Sequence, residues 1–246
     1  MISRKSISIS ILRSIACSLL LFCTLTIAAQ RPQGNSQPQH LSKDEQLRLR
    51  MKAIDDSIPW WRGFEIKADI VGPIQHAVSS YGQYEVGVRF NLKDKYFPVV
   101  ELGYGSADEN NATTLTHYKT SAPYGKIGID FNMMKNKHDI YRLYGGVRYA
   151  YTNFKFDIDH PDVIDPVWGD KGPFTLHDVK AYYHWMEAVF GVDAKIVGPV
   201  HLGWTVRYMR RLFYDDGDFG NSWYVPGYGK QGGSHIWGTF EVLFAF

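Results

Sequence analysis

The residues of this chain equipped for chemistry are its nine histidines, its carboxylates and several serines. An imidazole beside a serine or an acid can activate a hydroxyl or a water, the chemistry of ester and lipid cleavage. His184, Ser222 and Ser234 fall toward one end of the chain's repeating pattern, and His76, His117, His160, His177 and His235 lie in or beside long connections. No spacing among them singles out a triad, and polar residues in such places ordinarily meet water. A second chemistry is cation binding, since Asp215-Asp216-Gly217-Asp218-Phe219-Gly220-Asn221 clusters acids beside glycine. It lacks EF-hand spacing and a closing Glu, so it reads as a solvated turn. Cysteine drops out: Cys17 and Cys23 both sit in an N-terminal leader, which leaves no thiolate, disulfide or Cys-ligated metal beyond it. No metal and no cofactor is implied.

Whatever these groups do, the elements between them must hold them. From Trp60 onward apolar and polar residues alternate over eight segments, at 61–71, 84–92, 96–105, 124–132, 140–151, 182–196, 200–208 and 235–246. One parity carries residues such as Phe64, Ile66, Val86, Leu102, Ile127, Val147, Phe190 and Trp204. The other carries charge. Its acids are Glu65, Asp69, Glu85, Glu101, Asp130, Glu187, Asp193 and Glu241. Its bases are Lys67, Arg89, Lys126, Arg142, Arg148, Lys195 and Arg207. Eight acids against seven bases is a near balance. Buried charge survives by pairing, whereas a selective pore shows one dominant sign. The pattern predicts a salt-bridged, closed interior.

The connections alternate too. Lys93-Asp94-Lys95, Lys135 to His138 and Gly198-Pro199 are short; Pro73–Gln83, Ser106–Pro123, Asn153–Ala181 and Leu212–Ser234 are long. Tyr84, Tyr104, Tyr149, Tyr151, Tyr182 and Tyr208 gather on the apolar parity at the long-loop ends, and Phe90, Phe131, Tyr141 and Phe246 at the short-turn ends. Two aromatic girdles around an aliphatic band mark a membrane barrel. A soluble barrel or sandwich also alternates, but here the charged face carries Gly63, Gly87, Gly103, Gly128, Gly146, Gly191 and Gly203, which suits a crowded interior. The fold expected is all-β: an eight-stranded antiparallel up-and-down transmembrane β-barrel with short periplasmic turns and long extracellular loops.

Residues 1–29 read as a cleaved signal peptide: Arg4, Lys5 and Arg13, an apolar run from Ile15 to Ile27, then Ala28-Ala29. Without those three bases the chain has 24 basic against 25 acidic residues, so charge points to no nucleic acid. Residues 30–59 read as a periplasmic tether, with Ser42-Lys43-Asp44-Glu45 as a capping box for a short helix. The barrel takes 60–246.

The C-terminal residues Phe240, Val242, Phe244 and Phe246 resemble the sorting signal that the barrel assembly machinery recognises. Trp60 to Phe246 resembles an uncharacterised family of small Gram-negative outer-membrane barrels, a domain of unknown function. The likeness lies in Phe97-Pro98-Val99-Val100-Glu101-Leu102-Gly103-Tyr104-Gly105, Ser121-Ala122-Pro123-Tyr124, Asp165-Pro166-Val167-Trp168-Gly169 and Trp223-Tyr224-Val225-Pro226-Gly227. It implies architecture and an outer-membrane location, with no activity. The role expected is structural or surface-binding, as a monomer in contact with outer-membrane lipid and lipopolysaccharide. Arg210 and Arg211 suit lipopolysaccharide phosphates. Trp168 and Trp223 either form a contact surface or pack loops together. The alternatives are an outer-leaflet lipid-modifying enzyme using His184, as two classes of small outer-membrane barrel are, and a narrow pore.

Overall fold

Alternation becomes pairing in the structure, a computed structural model that describes residues 42–164, 169, 171–217 and 222–246. The expected leader, the start of the tether, Trp168 and the stretch Asp218 to Asn221 lie outside the described residues. The chain divides into two units, Met1–Leu47 and Arg48–Phe246. In the first, helix α1 (Lys43–Ser57) begins where Ser42 Oγ accepts the Glu45 N–H at 3.2 Å, as the capping box requires.

The second unit contains a closed antiparallel barrel. Its strands are β1 (Trp61–Asp69), β2 (Tyr81–Leu92), β3 (Tyr96–Asn111), β4 (Thr116–Asn132), β5 (Tyr141–Ile164), β6 (Lys171–Val197), β7 (Val200–Asp215) and, after a small hairpin of β8 (Tyr224–Val225) and β9 (Gly229–Lys230), β10 (Ser234–Ala245). The ring runs β1-β10-β7-β6-β5-β4-β3-β2 and closes where β1 meets β10, with Ile66 opposite Phe244. Beyond that ladder the terminal residue finishes the join, since Phe246 N donates to Phe64 O at 2.8 Å. Gly63 belongs to this join rather than to a crowded interior. Its φ is +109°, and a Cβ there would sit 1.9 Å from Phe246 O. At the short-turn end, Lys93 and Asp94 both have φ of 55° and Lys95 N donates to Leu92 O, the primed turn that matches strand twist.

Two of the expected long loops are largely strand, and a third, Leu212–Ser234, carries a small hairpin. β3 and β4 extend to Asn111 and from Thr116, while β5 and β6, at 24 and 27 residues, run far past their expected ends. Beyond the membrane the outward face has no reason to be apolar, so hydropathy loses its period while backbone pairing continues. The first long connection, between β1 and β2, is helical. Asp69 ends β1 by accepting the Val71 N–H at 3.0 Å and the Gly72 N–H at 2.9 Å, and α2 (Val71–Val78) comes next. The first strand therefore stops two residues short of its expected end.

Outward parity is apolar and bare. Val86, Leu102, Ile127, Phe190 and Trp204 are each more than half exposed. An exposed belt of that kind is stable only against lipid. The girdle residues Tyr84, Tyr104, Tyr149, Tyr151, Tyr182 and Tyr208 face outward at one end, with Phe131, Tyr141 and Phe246 at the other. No helix among the described residues is long and apolar enough to cross a membrane. The strands make the crossing.

Candidate functional site

Because outward positions are taken by the apolar belt, the alternate positions of every strand converge inside the barrel. There six bases meet seven acids, nearly all of them buried. Toward the short-turn end, Arg89 bridges Glu65 at 2.7 Å and Asp193 at 2.6 Å, and Arg142 also pairs with Glu65. Farther in, Arg148 reaches Glu101 and Asp130, each at 3.2 Å. Lys126 joins Glu85 at 2.9 Å to Glu187 at 2.8 Å. Arg207 bonds Glu85 and Glu241, both at 2.7 Å, and Lys67 pairs with Glu241 and Glu101. Most partners come from different strands, so the pairs span the interior. Small residues make the room: a Cβ on Gly146 would lie 2.1 Å from Asp130 Oδ1. Rings add further contacts, with the Arg89 guanidinium 5.0 Å from the centre of Tyr144 and 5.4 Å from Phe97. Glu85, Glu101 and Glu241 bring oxygens within 4.8 Å of one another, a spacing metal ligands also use. Lys67, Lys126, Arg148 and Arg207 already supply their counter-charge.

Two expected members stand outside this set. Lys195 is exposed at the short-turn end, one register step from the turn at Gly198 and beyond reach of the inner acids. Asp69 faces inward, but its oxygens serve the first N–H groups of α2. Several inward residues escape a reading by charge alone: Tyr124 donates to Glu85 at 3.0 Å, Trp185 Nε1 donates to Glu187 at 2.8 Å, and Thr205 and Thr239 bond each other. Their signal is present in the sequence, because Tyr124 shares parity with Lys126 and Trp185 with Glu187.

Above Tyr124 and Trp185 the interior changes character. Inward residues of the extended strands become Tyr118, Phe154, Phe156 and Tyr183, and the β8–β9 hairpin folds back onto them. Tyr224, Val225 and Tyr228 of that hairpin are 2%, 0% and 1% exposed. Tyr118 OH donates to Tyr224 O at 2.8 Å, and Tyr224 OH donates to Gly82 O at 3.1 Å. Gly227 lies flat on the Tyr124 ring, where a Cβ would come within 2.5 Å. The base of the hairpin is fixed by Asp216, which accepts from Tyr183 OH at 2.5 Å, Ser222 Oγ at 2.7 Å and Gln231 Nε2 at 2.9 Å. Trp223 packs edge-on against Tyr81 and Tyr118, with centroids 5.7 and 5.9 Å apart, and so packs loops together.

The residues with catalytic potential are dispersed. His184 faces outward among Tyr149, Tyr151 and Tyr182, its Nδ1 2.6 Å from Tyr149 OH, while Ser222 is buried inside with Asp216. His76 lies on α2 and His235 on β10; His160 and His177 lie on the extended strands β5 and β6. His117, on β4 beyond the girdle, is 2.8 Å from Asp108, and that hydrogen bond holds its pKa above the usual histidine value. Arg210 and Arg211 point apart: Arg210 is exposed, whereas Arg211 stacks 3.7 Å from the centre of the Tyr214 ring. Asp215 accepts the Gly217 N–H at 2.9 Å, an ordinary turn.

Residues 11–243 match the family described as a domain of unknown function (DUF6048). The chain belongs to that family. Of the motifs that carried the resemblance, Trp223 to Gly227 is the hairpin inside the DUF6048 barrel, and Pro123-Tyr124 supplies the ring beneath Gly227. Solved structures similar to it include the following. Neisserial surface protein A is 13% identical, with 75% of this chain and 97% of that one covered and a TM-score of 0.41. A major outer membrane protein from Thermus thermophilus is 12% identical, with 75% and 99% covered and a TM-score of 0.42. Ail, the attachment invasion locus protein of Yersinia pestis, solved with the heparin analogue sucrose octasulfate, is 8% identical, with 74% and 93% covered and a TM-score of 0.34. No curated protein matches. The DUF6048 chain has the architecture of an outer-membrane β-barrel: even strand number, apolar exterior, aromatic girdles and polar interior.

Proposed function

We propose that this DUF6048 protein is a closed, non-catalytic barrel of the Gram-negative outer membrane, a structural or surface-binding element rather than a pore. Residues 1–29 are its cleaved leader and 30–59 its periplasmic tether. Phe240, Val242, Phe244 and Phe246 address it to the barrel assembly machinery, and it stands as a monomer in outer-membrane lipid. Arg210, exposed at the level of the upper girdle, meets lipopolysaccharide phosphate.

One observation carries this reading: two unlike layers cross the same interior. The lower is the ion-pair lattice around Arg89, Lys126, Arg148 and Arg207; the upper is the aromatic hairpin with Tyr224, Val225 and Tyr228 at 2% exposure or less. An eight-stranded barrel is narrow enough for side chains to fill. Ions crossing it would have to separate paired charges that are out of water, and breaking such a pair is strongly unfavourable.

The test is conductance of the refolded chain in a planar bilayer, using preparations whose gel mobility shifts on heating as folded barrels do. Silence is the expected result. Steady, salt-dependent current steps would replace this reading with a pore.

A further inference from the structure

The barrel wall has one incomplete seam. β1 ends at Asp69, opposite Glu241, so β10 from Ser234 to Phe240 has a strand neighbour on its β7 side alone. Across the seam, β2 from Tyr81 to Glu85 pairs with β3 alone. Helix α2 stands in the space but leans on β2. A Cβ on Gly82 would lie 2.4 Å from His76 Cβ, and one on Gly72 would lie 2.2 Å from Gln83 O. That leaves a cavity of about 120 Å³, lined from α2 by Gln75, from β10 by His235 and Trp237, from the hairpin by Lys230 and from the interior by Lys126 and Arg207.

The lining of this cavity includes three bases and no acid. Lys126 and Arg207 at the cavity floor already pair with Glu85, Glu187 and Glu241 of the lattice, so the cation left to the cavity is Lys230. Trp237 Nε1 and Arg207 Nε are buried N–H donors without a hydrogen-bond partner. The Lys230 ammonium meets no carboxylate among the described residues; it rests 5.2 Å from the ring centres of Tyr81 and Trp223. Unsatisfied buried donors beside a free cation are complementary to an oxyanion. The height of the seam says where that oxyanion comes from. Ile236 pairs with Tyr208 of the upper girdle, so His235 and Trp237 lie at headgroup level. A cavity of about 120 Å³ has room for a single phosphate group.

We propose that the α2–β10 seam is a binding site for the phosphate group of an outer-leaflet lipid. The chains stay in the membrane, and the phosphate turns inward to accept from Lys230, Trp237 and Arg207. This rests on the membrane reading above.

The test uses the refolded chain in uncharged detergent, with binding read as the fluorescence change that Trp237→Phe removes and as bound lipid by native mass spectrometry. The probes are dihexanoyl phosphatidic acid, dihexanoyl glycerol, which lacks the phosphate, and inorganic phosphate. Phosphatidic acid should bind, the glyceride should not, and Lys230→Gln should weaken binding about tenfold, the loss of one charge-assisted hydrogen bond. Lys180→Gln, at an exposed lysine elsewhere, should leave it unchanged. Equal binding of the glyceride, indifference to Lys230→Gln, or binding of inorganic phosphate alone would each overturn the lipid site. If that happens while the heat shift and bilayer silence persist, the seam fails and the closed barrel stands.

Discussion

Below Tyr124 and Trp185 the interior of this barrel is a lattice of charges; above them it is a stack of rings. The lower half is built entirely by strand residues reaching across, each long cation answered by carboxylates from other strands. The upper half needs a segment from elsewhere, the β8–β9 hairpin, which returns from the loop after β7 to bury Tyr224 and Tyr228. The two fillings have different energetics. A buried ion pair contributes little beyond what an apolar pair of the same volume would, but losing one partner strands the other. Ring packing contributes roughly in proportion to the area removed from water. The lattice should therefore behave as an all-or-none unit and the hairpin as a graded, separable one.

The sharpest way to break that contrast is Arg207→Ala. Arg207 bonds Glu85 and Glu241 and lies 3.7 Å from both Glu101 and Glu187. Its loss leaves a cluster of acids short of a cation, at a cost of about 3–5 kcal/mol. Urea unfolding in lipid vesicles measures it. A loss below about 1 kcal/mol would mean that water already reaches the lattice, the value typical of exposed pairs.

The two halves also differ in how far they can be read from sequence. The lattice is legible because alternation of period two fixes which side chains share a face, and thirteen of the fifteen charged residues assigned to the interior meet partners there. The two that do not, Asp69 and Lys195, sit at or near a strand end: Asp69 keeps its inward parity but spends its oxygens on the first N–H groups of α2, and Lys195 lies out at the exposed short-turn rim. The hairpin is illegible for a different reason. Trp223-Tyr224-Val225-Pro226-Gly227 is apolar and aromatic, but nothing local tells a loop to fold inward rather than out. That depends on Tyr118, Tyr183 and Gly105, far away in sequence; at Gly105 a Cβ would lie 2.8 Å from Pro226 Cα. The strand extensions are hidden because, past the girdle, Asp108, Lys119 and Asp157 replace the outward apolar residues that carry the signal.

Separability of the hairpin gives the next tests. Tyr224→Ala removes a buried ring and should weaken docking by about 3 kcal/mol. The loss should appear as protease cutting within 217–233, with the unfolding midpoint of the barrel unmoved. A fall in that midpoint instead would join the two halves into one cooperative unit. Gly227→Ala is a smaller lesion of the same contact. With φ at +81° and the Tyr124 ring 2.5 Å from the new Cβ, it should cost about 1–2 kcal/mol of docking, near the range for a strained backbone position. Protection equal to wild type would show that the hairpin does not rest on Tyr124. Replacing 222–231 by a Gly-Ser linker should leave a planar bilayer silent, because the lattice remains. Current from that variant alone would make the hairpin the sole closure.

The smallest effect lies outside both fillings, on the extended ends of β3, β4 and β5. His117 Nε2 is 2.8 Å from Asp108, and Nδ1 is 3.6 Å from Asp159. The hydrogen bond to Asp108, with Asp159 adding to it, raises the His117 pKa above 6.5, and the same bond lowers that of Asp108 below 3.8. These directions set the sign. The histidine's share of stability is complete below pH 6.5 and is lost as pH rises through its raised value; the Asp108 share is lost only as pH falls below 3.8. Both groups are exposed, so solvent screening limits the gain to a few tenths of a kcal/mol. Raising the pH from 6 to about 8, across the usual histidine range, should slightly lower the amide protection factors (exchange relative to the intrinsic rate at each pH) at Thr116 to Lys119, and His117→Gln should flatten that dependence. If the same rise instead loosened the Arg207 lattice, the interior charges would have to be in contact with water, and the division between a sealed lattice and a wet rim would fail.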